Sequence, residues 1–461
     1  MKKLTLLLLS AGLFACGQKP RPVIDSGPEE EDAGTDAGVD AGREKGVEPP
    51  TGYSTALILP DGNEPTVRVG VSASLALDQF NHPMIASVYT DPNNDKQHID
   101  DSLVFTRWNG LSKTADGGTM GCQPAVTIAS IGEIDLSEPN RQVSLSRDST
   151  TGTIGIAYVT ELKTVKIALS NDEGATWSPE TVSLPNASGH ALSNPVLVLN
   201  GGVTHLAYFE AEAPCGFPDC GQVIYRRRIG KAAFTDSTSP APAATDVALA
   251  KPISMAVDSA GNAGIAYFVG PAQAAAGAVS LLFWRPSGTT TRKVADSGGA
   301  AIAKPPSVSL TFSAANPRVA YHLPSAASVN AQLWYAAAAD AAGTTFTPVE
   351  IPRNGAAGVF EGTARFQSIA LSSSGRIAIA ANLDGLPVDQ GCKGGPKLSV
   401  STDGLVFDTC RPVKTGVPLF GQAGLWINAA FHKADKVTVV FALESNANPL
   451  IRGGVIVFRE P

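Results

Sequence analysis

The stretch Ile253-Ser-Met-Ala-Val-Asp-Ser-Ala-Gly-Asn-Ala-Gly-Ile265-Ala266-Tyr267-Phe268 decides the fold. An apolar, alternating run meets an Asp/Gly turn and is followed by a second apolar run carrying Ile-Ala-Tyr, which is the pattern of two antiparallel strands. The same core returns as Ile85-Ala86-Ser87, Ile156-Ala157-Tyr158, Leu206-Ala207-Tyr208, Val319-Ala320-Tyr321, Ile379-Ala380-Ala381 and Val439-Val440-Phe441. Successive copies lie roughly 50 to 70 residues apart, a period that belongs to stacked repeat architectures. Consecutive residues of the second run are apolar, as expected for a strand covered on both faces by neighbouring sheets. A single copy would leave its faces exposed, so the copies must pack on one another, and closing them into a ring leaves few open edges.

These features predict an all-β chain: a seven-bladed β-propeller of four-stranded antiparallel blades, with a six-bladed ring plus one aberrant copy as the alternative. Third strands are expected at Leu103–Trp108, Val165–Leu169, Val223–Tyr225, Leu281–Trp284 and Leu333–Tyr335. Weak outer strands follow, as at Thr347–Ile351. After Val455–Phe458 only Arg459, Glu460 and Pro461 remain, too few for a fourth strand, while Ser54–Leu59 precedes the first copy without a partner. The N-terminal strand is therefore expected to supply the missing outer strand and close the ring.

Upstream of residues 51–461 the chain reads differently. Lys2, Lys3 and the apolar run Leu4–Phe14 have the form of an export signal, too short for a spanning helix. The sequence Leu13-Phe14-Ala15-Cys16 resembles a bacterial lipobox. That resemblance implies cleavage after residue 15, acylation of Cys16 and anchoring outside the cytoplasm, at the outer membrane or cell surface, since Gly17 is not the Asp that would favour inner-membrane retention. Residues 16–50 hold Asp-Ala-Gly triplets and the acidic run Glu29–Asp32 without apolar periodicity, which predicts a disordered, solvated tether.

Composition narrows the function. The formal charge is −7 and no Lys/Arg run interleaves with aromatics, so nucleic acid is not an expected partner. Six cysteines are present, and setting aside Cys16 leaves an odd five. In an oxidising compartment the spacing suggests Cys215–Cys220 and Cys392–Cys410 disulfides, with Cys122 left over. No CxxC, HExxH, G-x-S-x-G or phosphate-loop motif occurs. No cofactor is predicted; calcium at the acidic loop of the first copy is the one metal worth weighing.

Between the third and fourth strands of the second copy lies Ser170-Asn-Asp172-Glu-Gly174-Ala-Thr-Trp177. This resembles the Asp-box, or bacterial neuraminidase repeat, with the pattern S-x-D-x-G-x-x-W. Shorter or altered versions occur at the equivalent place, Ser401-Thr-Asp403-Gly404-Leu-Val-Phe407 and Asp340-Ala-Ala-Gly343-Thr-Thr-Phe346. The chain over residues 51–461 thus resembles the sialidase-like superfamily of propellers. The resemblance implies that the boxes are structural and lie opposite the functional face. It also implies a search for the sialidase arginine triad. Arg68-Val69-Gly70 keeps an arginine where the family has Arg-Ile-Pro but lacks the proline, and no convincing second or third arginine can be placed.

The ligand-face candidates are therefore the polar residues of the other loops: Asp95, His98, Asp100 and Asp101, then Glu210 and Glu212, then His322. The first group mixes carboxylates with an imidazole, and the second could contribute a carboxylate pair for glycoside chemistry. Tyr89 and Phe217 could add stacking contacts. The expected function is recognition of an extracellular glycan, polymer or protein without catalysis, by a monomer tied to the membrane only through its lipid. A glycoside hydrolase or lyase related to sialidases is the alternative.

Overall fold

The computed structural model describes residues 52–54, 68–90, 102–107, 126–129, 143–160, 164–183, 191–211, 220–235, 238–240, 246–249, 252–271, 279–298, 307–325, 328–351, 367–383, 395–412, 422–432, 435–444 and 454–460. Within them the chain is all-β. After β1 (Gly52–Ser54), four-stranded antiparallel units follow one another. The first holds β2 (Arg68–Leu77), β3 (Pro83–Thr90), β4 (Ser102–Arg107) and β5 (Val126–Ala129). The second holds β6 (Val143–Arg147), β7 (Ile154–Val159), β8 (Val165–Ser170) and β9 (Ser178–Ser183). Next come β10 (Leu192–Asn200), β11 (Val203–Ala211), β12 (Cys220–Ile229) and β13 (Asp246–Leu249), then β14 (Ser254–Val257), β15 (Ala263–Pro271), β16 (Ser280–Trp284) and β17 (Thr291–Asp296). The fifth holds β18 (Ser307–Ser313), β19 (Asn316–Ser325), β20 (Ser328–Ala338) and β21 (Phe346–Glu350). The sixth holds β22 (Gln367–Leu371), β23 (Ile377–Leu383), β24 (Gly395–Ser401) and β25 (Asp408–Pro412). The chain ends in β26 (Gln422–His432), β27 (Lys436–Glu444) and β28 (Gly454–Arg459).

Every Ile-Ala-Tyr-type core falls on the second strand of its unit, and these residues are buried: Ile265, Ala266 and Tyr267 are each 1% exposed or less. The first strands touch in cyclic order, β2, β6, β10, β14, β18, β22 and β26, and β26 returns to β2. The arrangement is that of a propeller. Apolar clusters fill the seams between consecutive units rather than one central core.

Two features differ from the expected strands. The closing strand is Gly52–Ser54, pairing with β28 as Gly52 opposite Arg459 and Ser54 opposite Val457. Residues 55–67, including most of the expected strand, lie outside the described residues. The second difference is that the third and fourth units merge into one eight-stranded sheet. There β13 pairs with β12 on one side and with the far half of β15 on the other, while β14 covers the near half of β15. The outer strand of one unit thus runs directly into the inner edge of the next.

A repeated side-chain device joins the inner strands. The inner edge of each first strand lacks a backbone partner, and a buried amide left unpaired is costly. A serine on the preceding unit supplies the acceptor. Ser74 Oγ accepts from Leu145 N at 2.9 Å, Ser144 from Leu197 N at 3.0 Å, Ser254 from Leu310 N at 2.9 Å, Ser309 from Ile369 N at 3.0 Å and Ser368 from Ala429 N at 3.0 Å. Asn428 completes the circle by donating Nδ2–H to Ala73 O at 3.0 Å. Each donor amide follows the next unit's own serine or its equivalent. In the third unit that equivalent is Val196, which has no hydroxyl, and the seam it faces is apolar and bridged by β13.

One end of the ring carries the turns between first and second strands and between third and fourth strands. Asp78, Asp148 and Asp258 each cap their turn, accepting backbone N–H groups through Oδ1. Gly201 and Gly202, with φ of 59° and 77°, make the two-residue hairpin of the third unit. Arg285 crosses between units here, reaching Asp258 at 2.8 Å, Ala315 O at 2.7 Å and Ala341 O at 2.9 Å, with its guanidinium over Phe312.

The three carboxylate turns share this end. In Ser170–Trp177, Asp172 Oδ1 accepts from Ser170 Oγ and Thr176 N at 2.7 and 2.9 Å, and Trp177 Nε1 donates to Gly174 O at 3.0 Å. The Thr176 and Ser170 bonds hold the Asp172 carboxyl down at about 2. In each turn a ring from the preceding unit lies beneath. Phe105 meets Trp177 edge-on at 5.0 Å, Phe283 meets Phe346 at 5.9 Å, and Tyr335 meets Phe407 at 5.4 Å. The turn glycine is required by the same ring: a Cβ on Gly174 would fall 2.2 Å from Phe105, on Gly343 2.7 Å from Phe283, and on Gly404 2.9 Å from Tyr335.

Candidate functional site

The ties just described occupy the turn end with internal contacts. The second-to-third and fourth-to-first connections 91–101, 130–142, 352–366 and 384–394 all lie outside the described residues. Asp95, His98, Asp100, Asp101 and Glu212 fall among such residues, as do Cys16, Cys122, Cys215 and Cys392. Cys220 is in a disulfide, and Cys410 lies on β25. Among the described residues no group of three His, Cys, Asp or Glu side chains is placed to hold a metal ion. The described candidates are Glu210 and His322, and they stand on separate units. Glu210 on β11 is half-buried and accepts from Gln222 Nε2 at 3.2 Å across the sheet. Arg68 opens β2 opposite Thr90.

His322 sits where the repeat is broken. It lies on β19 opposite Ser307 and Leu333, and is 2% exposed. The residue two places after the central Ala is apolar in the first four units, Val88, Val159, Phe209 and Phe268. On the facing sheet, Gln367 of β22, Ala381 of β23 and Lys397 of β24 form one row. In the fifth unit the same row reads Val308, Tyr321, Trp334. In the fourth, Tyr267 pairs with Leu282. An alanine has replaced the large aromatic and a glutamine an apolar residue, while Lys397 has a counterpart in Lys166, opposite Tyr158 in the second unit.

Both rows face the same seam. Ala320 and Ile379, two residues back on the same sheet faces, meet in one apolar cluster with Tyr335 and Ile369. Gln367 spans the seam: its Nε2 donates to Ser307 O at 2.7 Å and Ala320 O at 3.1 Å, and its Oε1 accepts from the Ser307 hydroxyl. Lys397 is buried, and burial holds its ammonium down at about 8. Ser307, His322, Gln367 and Lys397 therefore form a buried polar layer between the fifth and sixth units, one row nearer the loop end than the apolar layer.

Sequence reading singled out His322 but not Ser307, Gln367 or Lys397. The signal was available in the aligned repeats, where Gln367 stands at a position held by Val143 and Val308 in the second and fifth units. His205, by contrast, is structural. Its Nδ1 lies 2.7 Å from the Tyr225 hydroxyl, burial and Arg227 hold the imidazole down at about 4, and burial pushes Tyr225 up to about 12. The tyrosine therefore donates and the neutral imidazole accepts.

No protein-family profile and no curated protein matches the chain. Among solved structures, Penicillium chrysogenum alpha-L-arabinanase complexed with arabinobiose aligns with 12% identity and a TM-score of 0.45, over 88% of this chain and 97% of that one. Trypanosoma rangeli sialidase in complex with sialic acid aligns with 10% identity and a TM-score of 0.42, over 69% and 53%. The fucose-specific lectin from Aleuria aurantia aligns with 14% identity and a TM-score of 0.39, over 80% and 99%. At these levels no activity is carried from any of them to this chain.

Proposed function

We propose that the chain is a lipid-anchored, seven-bladed β-propeller of the sialidase-like, Asp-box type that recognises an extracellular glycan at the end opposite its boxes, without turning it over. The count is supported by the seven first strands in cyclic contact. The box reading is supported by the shared glycine, aromatic and carboxylate contacts of the three turns. Anchoring rests on the lipobox-like Cys16 segment.

The observation that carries the recognition reading is the break in the repeat between the fifth and sixth units. The His322 position is Val or Phe in the first four units and the Gln367 position is Val143 and Val308 in the second and fifth, whereas Lys397 has a counterpart in Lys166 of the second unit, so Gln367 and His322 are the polar groups that packing does not select. Burying amide, imidazole and ammonium groups costs stability relative to the aliphatic and aromatic residues used elsewhere. Such a cost is commonly retained where a site needs polar groups. Amide, hydroxyl and cationic donors such as those of this layer suit sugar hydroxyls and ring oxygens.

The test is a panel of glycans and polysaccharides presented to the full chain, scoring both retention and released product. Wild type is expected to retain at least one member without product. Variants that restore the repeat, His322→Val, Gln367→Val and Lys397→Leu, are expected to lose retention while melting no lower than wild type. Unchanged retention in all three removes the seam as the site, and product release replaces binding by glycoside hydrolysis.

A further inference from the structure

Among the described residues three large apolar side chains are exposed, Ile229 at 65%, Leu405 at 67% and Val406 at 73%. All three belong to connections between third and fourth strands. Ile229 ends β12, where Gly230 N donates to Gly202 O of a first-to-second turn. Leu405 and Val406 top the turn between β24 and β25, held by Asp403 Oδ1 at 2.8 and 3.0 Å from their amides. They therefore share the turn end of the ring. Ile229 is flanked by the exposed cations Arg227 and Lys231.

The closing strand enters from that same end. β1 runs antiparallel to β28 with Gly52 opposite Arg459. Arg459 is placed at the turn end, since its Nη2 donates to Asn81 O in the first unit's turn and the next residue, Glu460, pairs with Val437 across the last turn. β1 thus begins at the turn end, at the outer edge of the last unit, and the sixth unit that carries Leu405 and Val406 packs on that unit's first strand. A strand taking the outermost position of a unit must run in this direction, so strand polarity alone sets the exit.

We propose that the turn end lies against the lipid bilayer, with Leu405, Val406 and Ile229 entering its interfacial layer and Arg227 and Lys231 beside anionic headgroups. This rests on the reading of Cys16 as a lipid anchor, and it fixes what that anchor leaves open: the loop end, with the polar seam, points away from the membrane. Aliphatic contacts of this kind reinforce a short acyl attachment, and their small size suits shallow insertion rather than spanning.

The experiment uses the full, processed chain in vesicles of phosphatidylethanolamine and phosphatidylglycerol. Flotation with the vesicles, lost on Cys16→Ser, tests the anchor. Hydroxyl-radical footprinting of the floated chain, compared with the free Cys16→Ser chain, tests the face. Oxidation of Leu405, Val406 and Ile229 is expected to fall at least threefold in vesicles, while the exposed Pro179 and Pro348 on outer strands stay unchanged. A Leu405→Asp, Val406→Asp double variant is expected to float through its lipid yet lose the protection at Ile229. Flotation with equal oxidation of the three residues overturns the docked face and leaves the anchor standing. Failure of the wild-type chain to float overturns both. Protection already present in the free chain assigns the face to a protein contact instead and overturns the membrane as occupant.

Discussion

Glycine at position 174 is decided by a ring on another unit. Its φ of 89° is one that side chains rarely adopt, and Phe105 occupies the space a Cβ would need. Gly174→Ala should therefore cost roughly 1 to 3 kcal/mol from strain and overpacking together. In a Phe105→Ala background the steric part vanishes, so urea denaturation of the four-member cycle should show a coupling of about 1 kcal/mol. Lys397 makes a prediction of a different kind. Its ammonium titrates near 8 in the fold because burial disfavours the charge, against an ordinary value of 10.5. Between those values the unfolded chain binds more protons than the fold, so this contribution is complete above pH 10.5 and is lost as the pH falls towards 8. The unfolding free energy of wild type from urea titration should rise from pH 8 to pH 10 relative to Lys397→Leu, by an amount on the order of 1 to 3 kcal/mol. A constant difference between the two proteins across that range would show that Lys397 does not titrate there.

At the scale of the element, the inner strands are held by side chains because a ring denies them sheet partners. Ser144→Ala leaves Leu197 N without its acceptor in a buried seam, and Ser309→Ala does the same to Ile369 N. Each should destabilise by about 1 kcal/mol, the net worth of one such bond. Ser193, on the apolar third unit, makes no such bond to a following strand among the described residues. Ser193→Ala should therefore be nearly neutral in the same thermal melts. The merged sheet explains why the third seam does without a serine: β13 bonds to both neighbours through its backbone, and Val196 packs with Met255, Ile253 and Phe209.

For the whole molecule, closure is the vulnerable step. Among the described residues β1 contributes Gly52–Ser54 to the last unit, and the other end is secured by Glu460, whose carboxylate takes two bonds from Arg376 at 2.8 and 2.9 Å. A chain starting at Thr55 would leave β28 as a bare edge. It should melt several degrees lower and associate through that edge in sedimentation experiments. A monomeric chain melting with wild type would mean that β1 does not close the ring.

The amino-acid sequence by itself determined the strands and their grouping, because alternating apolar runs, Asp/Gly turns and a repeated Ile-Ala-Tyr core are local patterns with a fixed period. It also marked the carboxylate turns, since Ser170, Asp172, Gly174 and Trp177 bond to one another within eight residues. Only the tertiary structure decided the rest. That Ser74 serves Leu145, that Phe105 requires Gly174, and that Gln367 and Lys397 join His322 in one seam are relations across units, between residues tens of positions apart. The end from which the closing strand enters was likewise invisible, because polarity within a ring exists only once the last strand has been paired with the first. Local spacing encodes elements through backbone geometry, whereas seams and faces arise from which sheets meet, and that is a property of the closed ring.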